Sequence, residues 1–213
     1  SLLLTEAMAC WGMVKVGSLM MAGLWICGMG SSSMAASVTE FSPDETAAMG
    51  WSIVDDGVMG GLSQGQCAIQ QDGVLRFFGT LSLENRGGFS SVRSKSVKFD
   101  WSDASAVRLR VKGDGRTYQL RLSTDAEYRG GEVSFQASFE TKKDVWVEVS
   151  IPFTSLRGSW RGLSLPDQKF DASKIRRVGL LLGDRKAGPF ALEVDWIRTE
   201  DEARGHNGRA KSR

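Results

Sequence analysis

An all-β fold of antiparallel strands follows from three observations on this 213-residue sequence. Apolar side chains recur at every second position in segment after segment between residues 51 and 196, which places alternate side chains on opposite sheet faces. The chain holds 25 Gly but only 4 Pro, so turns are plentiful and strands are rarely broken. No stretch of this region sustains the i, i+3, i+4, i+7 stripe of an amphipathic helix. Without crossover helices a parallel α/β sheet, and with it a dinucleotide-binding domain, is excluded.

The elements are expected in the following order. Early strands fall at 51–54, 74–78 and 89–98. Val107, Leu109 and Val111 then alternate with Arg108, Arg110 and Lys112, and beyond Gly113-Asp114-Gly115-Arg116 the pattern resumes with Tyr118, Leu120 and Leu122 against Gln119 and Arg121. Asp114-Gly115 suits a tight turn, so these two strands are read as a hairpin. Val133, Phe135, Ala137 and Phe139 form the next strand, and Val145, Val147, Val149 and Ile151 another that Pro152 stops. Finally Val178, Leu180 and Leu182 precede a turn over 183–189, after which Phe190, Leu192, Val194 and Trp196 alternate with Ala191, Glu193 and Asp195. Single helical turns are expected at 153–156 and 172–174. Roughly eight strands, each with one apolar face to bury, pack most economically as two sheets, with a closed barrel as the alternative.

Outside the strands the chain reads as a leader over 1–36, a linker over 37–48, the sandwich over 49–199 and a disordered polar tail over 200–213. Residues 16–37 carry no charge after Lys15. A start at Met13 gives a short charged segment, an apolar core around 19–29 and small residues for cleavage after Ala35 or Ala36, the pattern of an export signal. Leu24-Trp25-Ile26-Cys27 also suggests lipidation at Cys27. No Arg precedes Arg76, whereas a mitochondrial presequence is Arg-rich. The expected location is therefore periplasmic or secreted, with a mitochondrial or other organellar address as the alternative, and membrane contact is expected only through the N-terminal segment.

Composition removes several function classes. Lys+Arg 27 against Asp+Glu 25 leaves a formal charge of +2, too little for a nucleic-acid or anionic-membrane footprint. The single histidine, His206, lies in the polar tail, and the cysteines are Cys10, Cys27 and Cys67. A Ser-His-Asp triad, a Cys-His dyad and a His-rich zinc site are thus out of reach within the domain. The sequence demands no cofactor and no metal.

Two glycine-rich loops carry the polar candidates. Asp55-Asp56-Gly57-Val58-Met59-Gly60-Gly61-Leu62-Ser63 follows the first strand, and its carboxylates suit either a hard cation such as calcium or the capping of loop amides. Glu84-Asn85-Arg86-Gly87-Gly88-Phe89-Ser90-Ser91-Val92-Arg93 leads into a strand; Asn85 can bond a polar ligand or make an Asx turn. Arg93 can offer its fork to a carboxylate, phosphate or sugar, or can pair with Asp56. Together with the turn residues Asp114 and Arg116, the expected contact set is Asp56, Asn85, Arg93, Asp114 and Arg116, with no catalytic residue among them.

Trp51 with the Asp55–Ser63 string, Phe78-Gly79, Gly87 to Arg93, Gly113 to Tyr118, Trp146 with Ile151-Pro152-Phe153, Gly179-Leu180-Leu181, Gly188-Pro189-Phe190 and Asp195-Trp196-Ile197 together resemble the complex I intermediate-associated protein 30 family. The resemblance runs in order from about residue 49 to residue 199. It implies a galactose-binding-like β-sandwich of jelly-roll type and a non-enzymatic binding or scaffold role. The implied partners are protein subunits of a respiratory NADH:ubiquinone oxidoreductase-like membrane complex whose assembly it assists. Two other readings compete. An exported carbohydrate-binding module would stack sugars on the loop aromatics Trp101, Tyr128 and Trp160, while Trp51, Trp146 and Trp196 fill the core or cover sheet edges. A carboxylate-dependent hydrolase would pair Asp55 or Asp56 with Glu84 or Glu193.

Overall fold

In the computed structural model, which describes residues 37–42, 44 and 49–201, alternation has produced thirteen strands among the described residues. They are β1 (Ser37–Thr39), β2 (Ser52–Asp55), β3 (Gln64–Ile69), β4 (Leu75–Leu81), β5 (Ser90–Arg93), β6 (Ala104–Lys112) and β7 (Thr117–Tyr128). They continue with β8 (Gly131–Glu140), β9 (Trp146–Pro152), β10 (Arg157–Trp160), β11 (Leu163–Leu165), β12 (Arg177–Leu182) and β13 (Gly188–Asp201). β1 falls within the stretch read as a linker, and β13 carries Glu200 and Asp201 from the stretch read as a tail. The leader, with its export and lipidation features, and residues 202–213 lie outside the described residues. No helix of the described residues is long and apolar enough to cross a membrane.

The strands form two antiparallel sheets. One has six strands in the order β3-β4-β13-β6-β9, with β1 also paired to β13; the other has seven in the order β11-β10-β8-β7-β12-β5-β2. The inward side chains of both form one core. Leu75, Phe77, Leu109, Val111, Leu192 and Val194 come from the first sheet, and Val92, Tyr118, Leu120, Leu122, Phe135 and Leu180 from the second. Side chains of this size each contribute about 1.5–3 kcal/mol on burial, so the alternation that exposes one face and hides the other is what selects a two-layer packing. The single helical turns expected at 153–156 and 172–174 are present as Phe153–Ser155 and Ala172–Lys174.

The pairing corrects one expectation. β6 and β7 do not form a hairpin: β6 lies between β13 and β9, and β7 lies between β12 and β8 in the other sheet. The turn at 113–116 therefore carries the chain across the sandwich, held by Thr141, whose Oγ1 accepts from Gly115 N–H at 3.2 Å and donates to Arg116 O at 2.8 Å. The 183–187 segment likewise passes from β12 in one sheet to β13 in the other. Two of the hairpins turn on a pair of central residues that both take positive φ. Arg129-Gly130 (φ 49° and 71°) joins β7 to β8, and Arg161-Gly162 (φ 49° and 82°) joins β10 to β11, the geometry that matches strand twist. Strands β3, β10 and β11 were not expected from the sequence, and of the expected 89–98 strand only Ser90–Arg93 is regular. Beyond it Ser94, Val97 and Phe99 still donate single backbone bonds to Val178, Arg176 and Ile175.

Candidate functional site

The strand register gathers four of the five expected contact residues at one end of the sandwich. Asp55 pairs with Ser90, Ser90 with Leu182 and Leu182 with Tyr118, so the segments 56–63, 84–89, 113–116 and 183–187 all leave the sheets there. Three of these four side chains go into two internal braces, and Asn85 joins neither.

The first brace is Asp56, which is 0% exposed. Its carboxylate accepts from Ser63 N–H at 2.9 Å, Ser63 Oγ at 2.5 Å, Gly88 N–H at 2.6 Å and Phe89 N–H at 3.2 Å. Burial pushes its pKa up, but the Ser63 hydroxyl and the backbone donors outweigh that and hold it below the usual carboxylate value. Two glycines are needed beside it, because a Cβ at Gly61 would lie 2.3 Å from the Asp56 carboxyl carbon and one at Gly87 2.6 Å from its oxygen. Asp56 thus welds the two glycine loops together and does not pair with Arg93. Asn85 stands exposed in the turn Glu84–Arg86 with φ 53°, and its side chain bonds to none of the described residues.

The second brace joins the crossing turns. Asp114 accepts from Arg116 N–H at 3.0 Å, Tyr118 Oη at 3.1 Å and Ala191 N–H at 3.0 Å. Arg116 grips Asp184 with both arms, Nε to Oδ2 at 3.0 Å and Nη2 to Oδ1 at 2.7 Å, and also donates to the carbonyls of Lys186, Gly188 and Pro189. The two side chains are only 11% and 7% exposed. Burial and then Asp114 push the Tyr118 hydroxyl far above its ordinary pKa. Asp114 and Arg116 are therefore spent on holding the ends of the strands.

Arg93 is different. It projects from β5 on the outer face of the seven-stranded sheet, the face opposite the core. Register places Gly179 of β12 beside it, and Arg121 of β7 on the far side of Gly179. Arg177, two residues along β12 on the same face, donates from Nε to Glu132 at 3.2 Å. Arg93 Nε reaches Ser91 Oγ at 3.1 Å. These residues surround a small hollow of about 10 Å³ that also touches Ser123 and Ser134. Arg121 Nε is buried there without an acceptor. Burial, then the like charge of Arg93, pushes the Arg121 pKa down to about 10, and burial also lowers that of Arg93. Arg121, Arg177 and Glu132 were missing from the sequence-based set. The available signal was only that each occupies an outward position in its strand.

The other candidates are placed as follows. Asp55 accepts from Gly65 N–H at 2.8 Å and Ser90 Oγ at 2.5 Å, Glu84 is exposed at a loop tip, and Glu193 pairs with Lys112 at 2.5 Å on the outer face of the six-stranded sheet. These acids do not face one another across a cleft. Among the described residues no group of three or more His, Cys, Asp or Glu is placed to hold a metal ion. Trp101 is buried, stacked on Phe99 with centroids 5.6 Å apart. Trp160 is half-buried, edge-on to Tyr128 and beneath Arg161. Trp146 and Trp196, expected to fill the core or cover sheet edges, lie half-buried on the outer face of the six-stranded sheet under Arg110, Lys112 and Arg198, Trp146 on its edge strand β9. Their strands each turn one face outward, and a cation over the indole covers what water would otherwise wet.

Comparison with known proteins adds the family. The model of the family described as complex I intermediate-associated protein 30 matches residues 39–194. A relative from Mus musculus, named complex I intermediate-associated protein 30, mitochondrial, is 28% identical over 169 residues, covering 69% of this chain and 51% of the mouse protein. The Drosophila melanogaster protein of the same name is 23% identical over 171 residues, covering 70% of this chain and 58% of its own. The chain thus spans a little over half the length of these relatives. Among solved structures, a family 11 carbohydrate-binding module of a Clostridium thermocellum cellulosomal cellulase superposes with TM-score 0.59 at 16% identity, over 79% of this chain and 95% of that one. A family 30 carbohydrate-binding module gives 0.52 at 17% identity, over 80% and 90%. At these identities the likeness is one of fold, and it agrees with the galactose-binding-like sandwich. The mitochondrial relatives overturn the expectation of export. That expectation rested on the uncharged run at 16–37, and such a run reports hydrophobicity, which alone does not fix a compartment. With the family model covering the strands from β1 into β13, the chain belongs to the complex I intermediate-associated protein 30 family.

Proposed function

We propose that this chain is a non-enzymatic binding module that assists the assembly of a mitochondrial membrane complex of the NADH:ubiquinone oxidoreductase type, with protein subunits of that complex as its partners. The observation that carries the reading is the extent of the family match, residues 39–194, which is nearly the whole sandwich. What matches the family is thus this two-sheet body, and the association with complex I intermediates in the relatives' names is assigned to the body itself. The geometry supports a binding role in two ways. Asp56, Asp114 and Arg116 are consumed in bracing loops, which ties the strand ends together, and of the carboxylates proposed for hydrolysis Asp55, Asp56 and Glu193 already have partners. The outer face of the seven-stranded sheet meanwhile presents half-buried cations on regular strands, where side chains are held more precisely than on loops. A module that binds one assembly intermediate more tightly than its precursors stabilises it by mass action and needs no chemistry of its own.

The test is a crosslinking pull-down from native mitochondria with the tagged chain, alongside the Asn85→Ala and Arg93→Ala double variant. Enrichment of respiratory-complex subunits by the wild type and their loss with the variant is the expected result. Recovery only as a free monomer overturns the reading. The fold likeness to carbohydrate-binding modules supports a second one, in which the same face takes a glycan. Saturable binding on a glycan array, with no subunit recovered by the pull-down, would put it first.

A further inference from the structure

We propose that Arg121, Arg93 and Arg177, set around Gly179 on the outer face of the seven-stranded sheet, form a carboxylate-binding site that receives an acidic side chain of a protein partner. The assignment of a protein as the source rests on the assembly reading; the site itself stands on four observations.

The first is an orphan donor. A guanidinium has five N–H groups, and Arg121 Nε is buried with no acceptor, while no hydrogen bond joins the rest of its side chain to the described residues. An unmade bond of a buried charged group is costly, so Arg121 gains from an acceptor delivered into the hollow.

The second is charge. Three arginines face the hollow with one carboxylate, Glu132, and that carboxylate is engaged by Arg177. Arg93 has only the neutral Ser91 hydroxyl at its Nε. The opposite face of the molecule provides an internal comparison. On the six-stranded sheet Arg108 pairs with Glu148, Arg110 with Asp195, Lys112 with Glu193 and Arg198 with Glu40. Each of these four cations has its own carboxylate, whereas at the hollow three arginines share the single carboxylate of Glu132.

The third is space. A Cβ at Gly179 would lie 2.8 Å from Val92 O and 3.2 Å from Arg93 Cγ. Gly179 lies between Arg93 and Arg121 in register and puts no side chain between them, so both arginines line one hollow. A carboxylate placed between them satisfies both, since its two oxygens match the fork of a guanidinium.

The fourth is size. The hollow has room of only about 10 Å³, so a small free ion held at its mouth would keep much of its water and bind weakly. A carboxylate carried on a protein that covers the face is desolvated by the same contact that delivers it. On this side the cost of drying Arg121 has already been met by folding, so the site is preorganised for that event.

The experiment uses the full chain labelled with 15N-arginine, in which each Nε–Hε group gives its own resonance. The probes are a hexaglutamate peptide, a hexaglutamine peptide and inorganic phosphate. The Arg121 Nε–Hε signal is expected to shift saturably with hexaglutamate and to stay in place with hexaglutamine. Arg121→Gln should weaken hexaglutamate binding about tenfold (about 1.4 kcal/mol) or more, whereas Arg108→Gln on the opposite face should change it less than about twofold. Should Arg121→Gln fail to fold, Arg93→Gln read at the Arg121 signal carries the same expectation. An unmoved Arg121 signal overturns the site. Equal losses in the Arg121 and Arg108 variants reduce it to diffuse charge and overturn it too. Phosphate shifting the signal at lower concentration than hexaglutamate overturns the carboxylate assignment. The mitochondrial pull-down with the same variants separates the two levels: lost peptide binding with subunits still recovered sinks the site alone, and intact peptide binding with no subunits recovered sinks the assembly role and with it the protein source.

Discussion

Replacing Asp56 by alanine tests whether this residue is a brace or a ligand. The carboxylate is 0% exposed and accepts four hydrogen bonds. The Ser63 hydroxyl has a second acceptor in Ser82 O at 3.2 Å, so truncation strands three donors, the N–H groups of Ser63, Gly88 and Phe89. Each stranded buried donor costs about 1–3 kcal/mol. The Phe89 bond, at 3.2 Å, belongs at the low end, and release of a buried carboxylate recovers part of the loss. The expected net destabilisation is about 3–5 kcal/mol, which lowers the melting temperature by roughly 10–15 °C in a chain of this size. Asp56→Asn keeps the shape but must turn an NH2 group toward at least one donor, so it should also destabilise, by about 2–3 kcal/mol. The pH dependence follows from the same bonds. The pKa of Asp56 in the fold is below its ordinary 3.8, so its stabilisation is complete above 3.8 and is lost as pH falls through the lower, folded value. Wild type should therefore lose stability in this acid range more steeply than Asp56→Asn. Urea unfolding at neutral and acid pH measures both effects. An Asp56→Ala protein within about 1 kcal/mol of wild type would refute the brace and return Asp56 to the list of ligand-binding candidates.

Three further outcomes are expected. Arg116→Ala leaves Asp184 buried beside an empty site, at 7% exposure, and should cost about 3–5 kcal/mol by urea unfolding, with strong coupling to Asp184→Ala in a double-mutant cycle. Additive losses would show that the pair is not the clasp described. Gly79→Ala would bring a Cβ to 2.0 Å from Gln64 O, so β3 must move away from β4, and amide exchange along Gln64–Ile69 should rise sharply at a stability cost of about 2–4 kcal/mol. Unchanged β3 protection would contradict that register. Val58→Ser and Met59→Ser, at positions 75% and 65% exposed, should shift stability by no more than about 0.5 kcal/mol, and a larger change in melting would mean that this loop packs more closely than described.

The legible part of the fold was its alternation. Leu120 and Leu122 inward with Gln119 and Arg121 outward could be read directly, because side-chain direction in a strand depends only on counting by two. Strands β3 and β10 were missed because Gln64–Ile69 and Arg157–Trp160 are rich in Gly, Gln and Ser and carry little alternating contrast. The supposed hairpin at Asp114-Gly115 shows the other limit. A tight-turn dipeptide states that the chain reverses, but whether the next strand pairs with the last or crosses to the opposite sheet depends on which edges remain free, and β6 is already flanked by β13 and β9. Likewise Asp56, Asp114 and Arg116 were rightly noticed as unusual polar residues in loops. Their work as braces depends on the amides of Gly88, Phe89 and Ala191, which lie 32, 33 and 77 residues further along.

By itself the sequence determined the all-β class, the inward and outward face of most strands and the family, since strand periodicity and a string of local motifs are both written in neighbouring residues. Only the tertiary structure decided which polar residues are spent and which are available. Arg93, Arg121 and Arg177 are separated by 28 and 56 positions, and each alone is an ordinary outward arginine. They meet because β5, β12 and β7 are neighbours in one register, and the charge excess they create exists only once the long-range pairing of strands has brought them onto one face.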